Sequence, residues 1–105
     1  MPEPGLLDMV KQARDLQKKM NKVQKRIAKT EITANAGGGM VTAVVNGNLE
    51  VKRVSIEPDL VRGGDVRMIE DLVRSALNAA IKKAQDLMAE EMKQVTGGMK
   101  IPGLF

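Results

Sequence analysis

The chain has 105 residues, enough for one domain with a thin core; 43% of them are apolar, yet Phe105 is the sole aromatic. Having neither Cys nor His, it lacks disulfides, thiolate metal sites, the usual metal ligand and the usual general base, which argues against an enzyme. The formal net charge is +4, and its placement along the chain matters more than its size.

The first element runs over residues 6–29. Leu6, Met9, Ala13, Leu16, Met20, Val23 and Ile27 recur at strict three-four spacing, a heptad seam that predicts an amphipathic helix. Pro4 and Gly5 mark its start, and the β-branched run from Thr30 marks its end. Eight cations (Lys11, Arg14, Lys18, Lys19, Lys22, Lys25, Arg26 and Lys29) lie off the seam against Asp8 and Asp15, so the segment carries 8 − 2 = +6. Like charges three or four residues apart repel. The pairs Arg14/Lys18, Lys18/Lys22, Lys22/Arg26 and Lys25/Lys29 together cost roughly 1–2 kcal/mol in an isolated helix. Salt screens part of this cost, and the helix dipole offsets it only near Lys25, Arg26 and Lys29. A solvated face gains nothing from a single sign, whereas a face that meets a polyanion does.

The middle of the chain, residues 30–57, reads as a three-stranded antiparallel sheet. TEITANA (30–36) alternates weakly, the glycines at 37–39 break it, and MVTAVVN (40–46) is strand-like. Asn46-Gly47 is the signal for a tight type I′ hairpin turn. In LEVKRVSIE (49–57), Leu49 and Val51 share one parity while Val54 and Ile56 share the other, which predicts a β-bulge near Lys52-Arg53. PDLVRGGD reads as a turn-rich link, after which Asp65 caps a second helix over 65–96. That helix has a broad, Ala-rich apolar face and a charge of 5 − 6 = −1 over residues 65–95. Residues 97–105 form a tail. The order is α-β-β-β-α, an α+β fold in a single domain over 1–105, without internal repeats.

Helices of about 24 and 30 residues span roughly 36 and 45 Å. A compact chain of this size has a radius of gyration of only about 13 Å, so both helices outrun the sheet. An isolated three-stranded sheet also leaves two edges bare. A second copy covers both, and a two-fold homodimer is expected.

Other chemistry finds little support. Glu57 and Asp59 sit in SIEPDL, more simply a strand end and turn than a carboxylate pair. The glycines at 37–39 lack the Lys-Ser/Thr of a phosphate-binding loop. The helical methionines read as gap-filling core. No cofactor, metal or small-molecule substrate is expected. The lack of aromatic rings argues against single-stranded nucleic-acid modules, and the absence of aromatics on the seam argues against a membrane surface. Without a long apolar span or a signal-like start, the chain reads as soluble and cytoplasmic. For the basic stripe there remain a solvated face and duplex DNA, whose phosphates are neutralised without sequence readout.

The succession GLLDMVKQARDLQKKMNKVQ, GGGMVTAVVNG, VKRVSIEPDLV, IEDLVRSALNAAIKKA and VTGGMKIPGLF resembles the YbaB/EbfC nucleoid-associated protein family along almost the whole chain. The resemblance implies a tweezer-like homodimer that binds duplex DNA and associates with the bacterial nucleoid. The eight cations of the first helix are the candidate DNA-binding residues, assigned on charge. The alternative is a non-catalytic adaptor that docks a partner through the helix seam.

Overall fold

A computed structural model describes residues 5–96. Six elements follow in order: α1 (Leu6–Lys29), β1 (Glu31–Ala36), β2 (Val41–Asn46), β3 (Val51–Ile56), α2 (Pro58–Arg62) and α3 (Val66–Thr96). The predicted tail lies outside the described residues. The strands form one antiparallel sheet in the order β1-β2-β3. One face of the sheet is covered by α3, and the core is built from Ile32, Ala34, Val41, Ala43 and Val45 against Ala76, Ala80 and Ala84, with Leu60 closing it. Alanines at four-residue spacing on α3 allow its backbone to approach the sheet closely.

The short α2 occupies the stretch read as a link. Pro58 starts this helix, and Leu60 turns into the core. Five residues are too few for a periodicity signal, which is why the sequence shows only turn residues there. At the start of α3, Asp65 caps as expected: its Oδ1 accepts the Met68 N–H at 3.0 Å.

The β3 bulge is present. Val51 pairs with Val45 and Arg53 with Val44, so Lys52 is the extra residue. Skipping it brings Val51, Val54 and Ile56 into register with Val45, Ala43 and Val41, all on the α3 side of the sheet. On the opposite face Arg53 reaches diagonally across β2 to Glu31 in a two-pronged ion pair of 2.8 and 3.1 Å, Arg53 being in register with Val44 and Glu31 with Asn46. The guanidinium holds the Glu31 carboxyl below its usual range, chiefly through the hydrogen bond.

The β2–β3 turn differs from the two-residue type I′ expectation. Asn46 N–H donates to the Glu50 carbonyl, closing a three-residue loop in which neither Gly47 nor Asn48 has positive φ; Leu49 takes the left-handed position at φ 62°. Asn46 explains the choice. Its buried Oδ1 accepts the backbone N–H groups of Asn48 and Glu50, and its Nδ2 donates to the Glu50 carboxylate.

Gly47 serves another purpose. Its N–H donates to the Ile27 carbonyl at 3.0 Å, and a Cβ at this position would lie 2.2 Å from that oxygen. The root of α1 is thereby seated on the hairpin. Thr30 completes the joint, its N–H donating to the Ile27 carbonyl and its Oγ1 to the Arg26 carbonyl. Of the α1 seam, Ile27 is buried and Leu16, Met20 and Val23 are half-buried, whereas all of residues 6–15 are exposed. The result is elongated, with a radius of gyration of 20.3 Å and extents of 74 × 22 × 15 Å.

Gly47→Ala is expected to lower the unfolding free energy by about 2 kcal/mol or more, because a backbone carbonyl blocks the added carbon. Urea denaturation checks this, and parental stability would show that the joint yields.

Candidate nucleic-acid interface

The structure separates the eight candidate cations into two groups. At about 100° per residue, Lys11, Arg14, Lys18, Lys22, Lys25 and Lys29 fall within an arc of about 80° on α1. All six are exposed. Over the 18 steps from Lys11 to Lys29 the stripe is about 27 Å long. Asp8 and Asp15, the only acids of α1, lie outside the arc. Lys18, Lys22 and Lys25, with Lys19 and Asn21 beside them, line a shallow depression of about 300 Å³.

Lys19 and Arg26 lie about 60° and 40° beyond the edge of the arc. The Arg26 guanidinium is also engaged, reaching Glu91 on α3 at 2.5 Å. Arg26 therefore joins the two helices near the root of α1, and the stripe proper has six members. Periodicity alone distinguishes these six, but the Glu91 partner of Arg26 is 65 residues away and leaves no local signal.

Among the described residues, the geometry keeps the stripe clear of α3 and the sheet. The seam residues Met20, Val23 and Ile27 turn inward, so the cationic face is presented outward on a helix whose root is fixed. Such a face has the composition and straightness to lie along closely spaced phosphates, whose neutralisation releases counterions.

Elsewhere the chain carries a second bare surface. Val51 is 51% and Val54 40% exposed although both face the α3 side of the sheet. Ile69, Val73, Leu77 and Ile81 of α3 line an apolar groove of about 530 Å³. The Lys83 ammonium donates to the Thr33 carbonyl on β1 at 2.9 Å. Leu77 and Ile81 lie about 120° and 160° around α3 from Lys83, which turns the groove toward the β3 side.

A model of the YbaB/EbfC DNA-binding family matches residues 2–99. A nucleoid-associated protein of Thermoanaerobacter pseudethanolicus is 45% identical over 98 residues, 93% of this chain and 88% of that protein. One of Clostridium acetobutylicum is 46% identical over 97 residues, 92% and 87% of the two chains. The crystal structure of an uncharacterized protein of Helicobacter pylori shares the fold, with a TM-score of 0.77 at 21% identity, covering 90% of this chain and 100% of that one.

A double-mutant cycle of Arg26→Ala and Glu91→Ala, followed by urea denaturation, is expected to give a coupling of only about 0.2–1 kcal/mol, because the pair is solvent-accessible. A coupling well above that range would make the pair, and not the Ile27–Gly47 contact, the main tie at the root of α1.

Proposed function

The chain belongs to the YbaB/EbfC DNA-binding family, and from that premise we propose that it is a non-catalytic, nucleoid-associated protein of the bacterial cytoplasm that binds duplex DNA through the cationic face of α1. The observation that carries this reading is the six-residue stripe: one sign, one face, about 27 Å, with no acid inside it. Binding is largely independent of sequence. Lys11, Arg14, Lys18, Lys22, Lys25 and Lys29 neutralise phosphates, Lys19 adds charge at the flank, and Arg26 positions the helix through Glu91.

The working unit is a homodimer. Val51, Val54 and Ile56 of β3, together with the Ile69–Ile81 flank of α3, form the apolar surface that a second copy covers. A two-fold axis there yields two projecting α1 helices that grip the duplex from two sides, while the sheets and α3 hold their spacing. In such a dimer each stripe residue occurs twice, and six to ten of these twelve cations are expected to contact phosphate.

Light scattering at micromolar concentration is expected to report twice the mass of the chain, and paired Val54→Asp and Leu77→Asp substitutions to reduce it to the monomer. A well-folded parental monomer would contradict the dimer. For DNA, log K against log salt is expected to be linear with a slope of roughly −5 to −9, from six to ten phosphate contacts per dimer at about −0.9 each. Lys22→Gln makes the slope shallower by about 2. Reversing Lys18, Lys22 and Lys25 to Glu abolishes a gel shift with random duplex while circular dichroism stays parental. If that triple variant binds as tightly as the parent, the stripe is a solvated face and the adaptor reading takes its place.

A further inference from the structure

The cationic stripe does not end in a cation. Moving from Lys29 toward the N-terminus, the stripe residues step by four, three, four, four and three positions to Lys11, and a further step of four reaches Leu7. At about 100° per residue Leu7 lies inside the same arc as the six cations, and Val10 lies about 40° outside its edge. Leu7 is 82% exposed. Leu7 and Val10 line one shallow depression together with Lys11 and Arg14. An apolar side chain this exposed, on the outward face and off the seam that packs against α3, contributes nothing to the protomer's core.

We infer that Leu7, supported by Val10, is an apolar wedge that enters the minor groove of duplex DNA and bends it. This rests on the duplex-DNA reading above and adds to it a non-ionic contact. The occupant follows from charge and shape. The cations beside the wedge require an anionic partner, and the surface is continuous with the proposed phosphate-binding face. A helix about 10–12 Å across is too wide for a minor groove about 6 Å wide, so only side chains near its tip reach the floor. Leu7 and Val10 offer no donor or acceptor for polar base edges, and in the major groove their apolar contact is confined to the thymine methyl, whereas apolar side chains inserted from the minor groove open base steps and kink the duplex. Phosphate neutralisation by the stripe then holds the bent duplex against α1.

The test compares the full-length parent, Leu7→Gln/Val10→Gln and Leu6→Gln. Leu6 is nearly as exposed as Leu7 but lies about 100° around the helix, so its variant controls for loss of apolar surface at the tip. Two quantities are read for each: binding to random duplex across salt, and ligase-catalysed circularisation of fragments shorter than the persistence length of about 150 bp. The parent and Leu6→Gln are expected to promote circularisation, with suppression by a bis-amidine minor-groove ligand. Leu7→Gln/Val10→Gln is expected to lose it, to weaken binding about tenfold when extrapolated to 1 M salt, and to keep the parental salt slope, because the loss is of apolar burial alone. Circularisation by the double variant at the parental level overturns the inference, as does an equal loss in Leu6→Gln. A double variant with a shallower slope also overturns it, since the tip would then act by disturbing the stripe. If the parent itself fails to bind duplex DNA, the underlying reading fails and the wedge falls with it. Binding of the parent to anionic vesicles but not to duplex DNA, lost on Leu7→Gln/Val10→Gln, would assign the tip to a lipid surface instead.

Discussion

The contact between the Ile27 carbonyl and Gly47 sets the direction of everything that projects from the sheet. One oxygen accepts two N–H groups, from Thr30 at the helix end and from Gly47 in the β2–β3 loop, both at 3.0 Å. The last turn of a helix ordinarily leaves its carbonyls to water or to a cap. Here a strand connection supplies the cap, so helix termination and helix docking become one event. Any side chain at position 47 would meet the Ile27 backbone, and the loop accommodates this by giving the left-handed position to Leu49 instead of to the glycine. With its root fixed in this way, α1 projects its N-terminal half beyond the sheet and its core, and residues 6–15 stay exposed.

That projection reconciles two properties that conflict in most helices. Apolar residues at Leu16, Met20, Val23 and Ile27 need cover, and like charges at Lys11, Arg14, Lys18, Lys22, Lys25 and Lys29 need distance from acids. The arc and the seam occupy different sides of the helix, so α3 can pack on one without neutralising the other. Among the described residues only Arg26, at the margin, meets an acid of α3. Five like-charge neighbours within the stripe cost about 1–2.5 kcal/mol. A cost of that size is tolerable for a domain, and no ion pair among the described residues offsets it within the stripe. The proposed wedge at Leu7 starts from a similar observation, since an exposed leucine in line with the stripe also lacks an apolar partner among the described residues.

Much of this architecture was legible because it is written in periodicity. The seam of α1, the Asp65 cap, the Ala-rich face of α3 and the parity change that places the bulge at Lys52 are all local patterns with one physical reading each. The misses share a different cause. The sequence at Asn46-Gly47 carries the signature of a type I′ turn, but Asn46 is spent on Asn48 and Glu50 and Gly47 on Ile27, a residue 20 positions earlier. The five residues of α2 are too short for a period. Among the eight cations of α1, the pairing of Arg26 with Glu91 was likewise illegible, because that contact is remote in sequence. Local signals specified the elements, and long-range contacts decided how individual residues within them were used.

The account turns on whether the face of α1 that carries the stripe is the face that meets DNA. Reductive methylation of lysine, which preserves charge, read by mass spectrometry with and without random duplex DNA, tests this residue by residue. Lys11, Lys18, Lys22, Lys25 and Lys29 are expected to be protected by DNA, while Lys52 on the sheet and Lys82 on α3 react equally in both states. Protection centred on Lys52 or Lys82, with the α1 lysines still reactive, would contradict it.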